Sequence, residues 1–242
     1  MPPGFCEADL VAHDGGDARG DYCHSLDVTD VATGWTEPRA LRNRASRWVH
    51  EALADIEQRL PFPLQGLDSD NGAEFINNNL ASYLDKRGIT FTRSRPCRKN
   101  DSCFVEQKNW SVIRRFVGYA RYDTEAELES LHELYRSLRL YVTFFLPVMK
   151  LTEKIREGAK VRKRYDVART PYRRVLEHPD LPEEAKAALT AQYLSLNPVR
   201  LKMAIGRPQD TLMRLARLKE RRRRAQPPRS GRTGRGTTVV AR

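Results

Sequence analysis

The stretch LQGLDSDNGAEF (residues 64–75) decides the fold. Residues 64–70 predict a short buried strand that ends on Asp68 and Asp70, and Asn71-Gly72 turns the chain into a helix. Strand ends beside turns are where α/β proteins present functional groups. Asp70 has an equally good local explanation as the cap of the following helix, a position that Asp favours.

Upstream, FCEADLVAH (5–13) and YCHSLDVTDV (22–31) are β-rich runs with partial alternation, joined by a turn containing Gly15, Gly16 and Gly20. TEPRAL (36–41) predicts a third strand, and Pro38 puts it near an edge. Val49, Leu53, Ile56 and Leu60 recur at helical spacing over 45–59, with Ser46 as the cap candidate and Pro61 and Pro63 as the stop. Downstream, a helix ends near Gly88, ITFTRS (89–94) alternates as a strand, and a long helix runs from Ser102 beyond Arg115. The order β-β-β-α-β-α-β-α predicts an α/β fold with a mixed sheet flanked by helices.

Leu128, Leu131, Leu134, Leu138 and Val142 predict one more helix packed on this core. From Pro147 the composition turns basic, with helices expected over PEEAKAALTAQYLSL and over 208–224. The end, ERRRRAQPPRSGRTGRGTTVVAR, has the Arg, Gly and Pro content of a disordered tail. The expected division is a core over 1–146, a helical basic region over 147–218 and a tail over 219–242.

Composition limits the function classes. The 43 Lys and Arg against 31 Asp and Glu give a formal net charge of +12, which favours a polyanionic partner. No run approaches the roughly 18 apolar residues of a membrane span, and no signal-peptide pattern opens the chain, so no membrane association is expected. Cys6, Cys23, Cys97 and Cys103 are too scattered for a disulfide scaffold, and neither C-x₂-C nor H-x₃₋₅-H zinc spacing occurs. Without a P-loop, no nucleotide cofactor is expected. A cytoplasmic, nucleoid-associated protein fits these properties.

Two further carboxylates matter. Asp9 lies mid-strand with Glu7 on the same face; a strand carboxylate is costly to bury alone, so either a bound cation or an exposed edge position explains it. Glu106, in KNDSCFVEQKNWSVIRR (99–115), shares a helical face with Asn109 and Ile113, and an ordinary solvated glutamate is the alternative. Between Asp70 and Glu106 lie 35 residues.

A strand aspartate, SDNGAEF (69–75) and RKNDSCFVEQKNWSVIRR (98–115) at this spacing resemble the D,D-35-E pattern of retroviral-type integrases and bacterial insertion-sequence transposases. The resemblance covers about 110 residues. It implies an RNase H-like mixed five-stranded sheet with Asp9, Asp70 and Glu106 as catalytic, metal-binding carboxylates. Asp70 is preferred to Asp68 because the family's aspartate directly precedes Asn-Gly. The resemblance also implies two Mg²⁺ or Mn²⁺ ions with Asp9 bridging, DNA as substrate, and a homo-oligomer acting on paired DNA ends.

Lys99, Asn100, Lys108, Arg114 and Arg115 cluster around the Glu106 helix as expected DNA contacts. Trp35, Trp48 and Trp110 could stack on bases, but core packing is the expected role of each. Family members carry helix-turn-helix modules before the core. Here the core begins almost at Met1, so the chain reads as a truncated or separately encoded piece. The expected activity is DNA cleavage and strand transfer; the alternatives are a non-catalytic nucleic-acid-binding transposase fragment and an RNase H-like nuclease.

Overall fold

Alternation in the first strand sorts the molecule into two sides of a sheet. In β1 (Phe5–Ala12), Cys6, Ala8 and Leu10 face one hydrophobic cluster, whereas Val11 belongs to another and Glu7 and Asp9 bond to the helix on that second side. The computed structural model describes residues 2–70, 72, 74, 75, 78–95 and 102–225. β2 (His24–Asp30) and β3 (Thr36–Leu41) add antiparallel to one edge of β1, while β4 (Gly66–Ser69) and β5 (Thr90–Arg93) add parallel to the other. The order β3-β2-β1-β4-β5 is the expected mixed five-stranded α/β sheet, with Pro38 on an edge strand.

On the first face, α1 (Ser46–Glu57) and α2 (Asn78–Lys86) bury Val49, Leu53, Ile56, Leu80 and Leu84 against Leu26, Val28 and Leu67. Ser46 is not the cap of α1; Ala45 holds that position without a side-chain bond. On the second face the helix expected from Ser102 comes in three pieces. These are α3 (Cys103–Lys108), a π-helical segment (Asn109–Arg114) and α4 (Arg115–Val117). α5 (Glu125–Phe145) follows behind a Thr124–Glu127 capping box. The Glu37 carboxylate on β3 accepts from both Arg139 on α5 at 2.5 and 2.7 Å and the Trp35 indole at 2.9 Å, pinning this helix to the sheet edge.

The basic region opens with a hairpin, β6 (Leu151–Glu157) and β7 (Lys160–Tyr165), that the sequence reading did not separate from the helices after it. Both strands are exposed almost throughout, so no core-facing period marks them. α6 (Pro171–Leu176), α7 (Glu183–Ser195) and α8 (Pro198–Ala225) complete the chain. α8 starts before the expected 208 and carries Pro208 inside it; it also continues past Lys219, where the tail was expected to begin. Contacts hold that last stretch in place: Lys219 Nζ bonds Asp123 and Glu127 at 2.8 Å. The tail beyond residue 225 lies outside the described residues. Among the described residues no helix is long and apolar enough to cross a membrane.

α8 is not peripheral. Ile205 and Leu212 are buried in the same cluster as Val11, Leu131 and Leu134. Leu212→Ala is therefore expected to destabilise the whole chain by about 2–5 kcal/mol. Urea unfolding should show one shifted transition; a separate early transition with the main one unmoved would contradict this packing.

Candidate active site

β1 delivers two acids to the helix that follows β5. Glu7 accepts the Phe104 amide at 2.9 Å and the Val105 amide at 2.8 Å, so its carboxylate satisfies donors that the first turn of α3 leaves free. Burial pushes its pKa up to about 7 against the pull of these amides, and Asp68 and Glu106 add to the rise. Asp9, two residues on, accepts the Leu10 amide at 2.8 Å and the Asn109 side-chain amide at 2.6 Å. Burial raises Asp9 to about 6, and the charges of Asp70 and Glu106 push in the same direction.

The parallel pairing of β1 with β4 ends at Ala8 opposite Ser69, so Asp9 and Asp70 are the next residues along the two strands. Asp70 is exposed, and its carboxylate accepts the Gly72 amide at 3.0 Å. A Cβ at Gly72 would meet the Glu74 carboxylate at 2.7 Å and that same Asp70 oxygen at 3.0 Å. Asp68 is occupied elsewhere: it accepts from Thr92 at 2.6 Å and Ser94 at 3.1 Å. Ser94 in turn bonds Ser102 at 2.5 Å, tying the end of β5 to the start of α3. Glu106 is exposed on α3.

A third acid lies beneath. Asp27 on β2 is opposite Asp9 in the antiparallel register and fully buried. One oxygen takes the Thr29 hydroxyl at 3.3 Å, and the other has no hydrogen-bond partner among the described residues. Burial raises Asp27 to about 7, opposed by the cation of Lys108, whose own pKa burial lowers.

These contacts revise several expected DNA-facing residues. Lys108 is buried toward Asp27, because the face of α3 that carries it is pressed onto β2. Arg114 donates to the carbonyls of Ala12 at 2.9 Å and Gly118 at 3.3 Å, so it braces the end of β1. Arg115 is exposed. Lys99 and Asn100 lie outside the described residues. Trp35 is buried as expected, whereas Trp110, expected in the core, is 62% exposed on the π-helical segment. Sequence reasoning missed Asp27 and the helix-capping role of Glu7. The only available signal was period-two alternation of acids with apolar residues in the first two strands.

For a divalent cation, the donor chemistry fits. Asp9, Asp70 and Glu106 offer hard oxygens, the charges of Asp70 and Glu106 add to the burial that raises Asp9, and the nearby cation Lys108 is directed to Asp27. Among the described residues no group of three or more His, Cys, Asp or Glu is already drawn together as a metal cage.

Several known proteins resemble this chain. Residues 1–99 match the family model of the integrase core domain. An uncharacterized protein of Sinorhizobium fredii, y4rM, is 45% identical over 163 residues, which are 67% of this chain and 47% of that protein. The chain thus spans about half the length of that relative. Among solved structures, a chain of the simian T-cell lymphotropic virus intasome in complex with PP2A regulatory subunit B56 gamma aligns with a TM-score of 0.53 at 15% identity. That alignment covers 75% of this chain and 57% of the other. The catalytic core domain of BIV integrase aligns over 72% of this chain and 94% of its own, with 16% identity and a TM-score of 0.48. At 15% identity the intasome likeness is one of fold.

The buried acid makes a pH-dependent signature. The folded state binds the Asp27 proton more tightly than the unfolded chain does. Its contribution to stability is therefore full below about pH 4 and is lost as pH rises through about 7. Asp27→Asn removes that loss. The difference in Tm, variant minus wild type, should become more positive between pH 4 and 7; a difference independent of pH would contradict an ionisable Asp27 in the interior.

Proposed function

We propose, on the premise that residues 1–99 belong to the integrase core domain family, that this chain is the catalytic core of a DDE-type polynucleotidyl transferase that cuts DNA and joins the cut end to a second DNA strand. The observation that carries the proposal is the convergence of charge on Asp9. A strand-borne carboxylate, its pKa raised chiefly by burial, is held by Asn109, and the charges of Asp70, from the adjacent parallel strand, and Glu106, from α3, reach it as well. Carboxylates so placed repel one another unless a cation balances them.

Asp9, Asp70 and Glu106 would hold Mg²⁺ or Mn²⁺, and a pair of such ions supplies activation of the attacking oxygen and charge stabilisation of the leaving one. The chain's own residues set the frame. Asn109 orients the Asp9 carboxylate, and Glu7 anchors the turn of helix from which Glu106 projects. In the reaction an oxygen of water or of a DNA 3′ hydroxyl bonds to phosphorus. The phosphorus–oxygen bond in line with it breaks, and the attacker's proton passes through solvent to the leaving oxygen. Trp110, exposed one position after Asn109, would meet a base, and the exposed Arg115, nine positions beyond Glu106, a phosphate. Joining paired ends implies a homo-oligomer on the DNA, and this substrate implies residence with the chromosome.

A strand-transfer assay with a short labelled duplex, a target duplex and Mn²⁺ tests the proposal. Joined product is expected from the wild type, and Asp9→Asn, Asp70→Asn and Glu106→Gln should each reduce it to background. Cleavage restricted to an RNA–DNA hybrid would replace the transferase with a nuclease. DNA binding with no metal-dependent reaction, unchanged by Glu106→Gln, would replace it with a non-catalytic binder.

A further inference from the structure

The β6–β7 ribbon has two chemically different faces. Antiparallel partners share a face, and successive residues alternate between faces. The pairs Glu157–Lys160, Ile155–Arg162 and Glu153–Arg164 form one face, which is mixed in charge and carries the Arg164–Glu153 ion pair at 3.1 Å. The pairs Arg156–Val161, Lys154–Lys163 and Leu151–Tyr165 form the other. That face carries Lys154, Arg156 and Lys163 and no acid. Its apolar members stay open, Leu151 being 49%, Val161 44% and Tyr165 50% exposed.

An isolated two-stranded ribbon is marginally stable, so its root matters. Here the root is bolted down. Lys150 and Asp166 exchange bonds of 2.7 and 3.0 Å, and Asp166 pairs with Arg174 at 2.6 Å. Lys150 Nζ donates to the carbonyls of Val31 and Ala32, both at 2.7 Å, and lies 5.8 Å from the centre of the Phe104 ring. Phe104 is the α3 residue whose amide binds Glu7, two positions before Glu106. The ribbon therefore projects from beside the helix that carries the candidate catalytic glutamate. Its strands extend about 20 Å, and a two-stranded ribbon is narrow enough for the major groove.

We infer that the acid-free face of the ribbon, Lys154, Arg156 and Lys163 with Tyr165, is a clamp for duplex DNA that grips the substrate next to the catalytic carboxylates. The inference rests on the proposal that the chain acts on DNA. Charge complementarity selects the occupant: closely spaced cations without a neighbouring acid match a phosphate backbone, and Tyr165 and Leu151 offer apolar contact to sugars and base edges.

The test uses the full chain in EDTA and a fluorescein-labelled duplex of arbitrary sequence, with anisotropy read between 50 and 200 mM salt. The triple change Lys154→Gln, Arg156→Gln and Lys163→Gln is compared with Lys160→Gln, Arg162→Gln and Arg164→Gln on the opposite face. The first triple should weaken binding at least about tenfold and reduce the slope of log affinity against log salt by roughly 2–3. The second should change the slope by less than half as much. Lys154→Arg with Lys163→Arg should bind as wild type, and melting temperatures should match across all variants.

Equal losses from the two triples would overturn the inference in favour of undirected charge. It would also be overturned if the first triple abolished binding to phosphatidylserine vesicles and left duplex binding intact. Because binding is read without metal, the outcomes separate from those of strand transfer. A chain that joins DNA but ignores both triples loses only the clamp. One that joins nothing, yet loses DNA with the first triple, loses only the catalytic proposal.

Discussion

The Glu7 carboxylate under the first turn of α3 is the contact on which the rest of the arrangement depends. Both amides it accepts belong to backbone that no helical carbonyl can reach, so the strand acid completes the helix and the helix shields the acid. This joins the first strand to a helix nearly a hundred residues later in the chain. Everything else at the site follows from the depth and rotation of α3 that the contact sets. Glu106 comes to the surface, Lys108 goes under, and Asn109 meets Asp9.

The interior on that side of the sheet is unusually polar. Glu7, Ser25, Asp27 and Thr29 are all buried beneath helices, whereas the opposite face of the same strands is built from Cys6, Ala8, Leu26 and Val28. Burying so many acids raises their proton affinity, and three of them, Glu7, Asp9 and Asp27, move up to between about 6 and about 7. Lys108 compensates the deepest of these without a direct ion pair. Past the last pair of the β1–β4 ladder, Asp9 and Asp70 are the next residues on the two strands. A π-helical turn begins at Asn109, and such turns tend to mark sites where a side chain must be re-aimed.

The C-terminal half divides by burial. α8 closes the second hydrophobic cluster through Ile205 and Leu212, so it is integral to the core that contains β1 and α5. The ribbon, by contrast, buries almost nothing of itself and is held at its root by Lys150, Asp166 and Arg174. Rigid attachment with an exposed blade suits an element whose partner is another molecule.

Local chemistry made much of this legible in the amino-acid order. Apolar period and proline placement marked the five strands, put TEPRAL at an edge and located α1 and α5. LDSDNGAEF and the 35 residues to Glu106 marked which carboxylates to watch. The strands and helices depend on neighbours close in sequence, where propensity and spacing act directly, whereas the carboxylates stood out through their resemblance to the D,D-35-E pattern. What only the tertiary structure decided is which polar side chains face inward. Asp27, Lys108 and Arg114 look like surface charges in a string of letters, and Trp110 looks like core. Their fates were set by the docking of α3 on β1 and β2 across long stretches of chain, and side-chain spacing along one element carries no information about which neighbour will cover it.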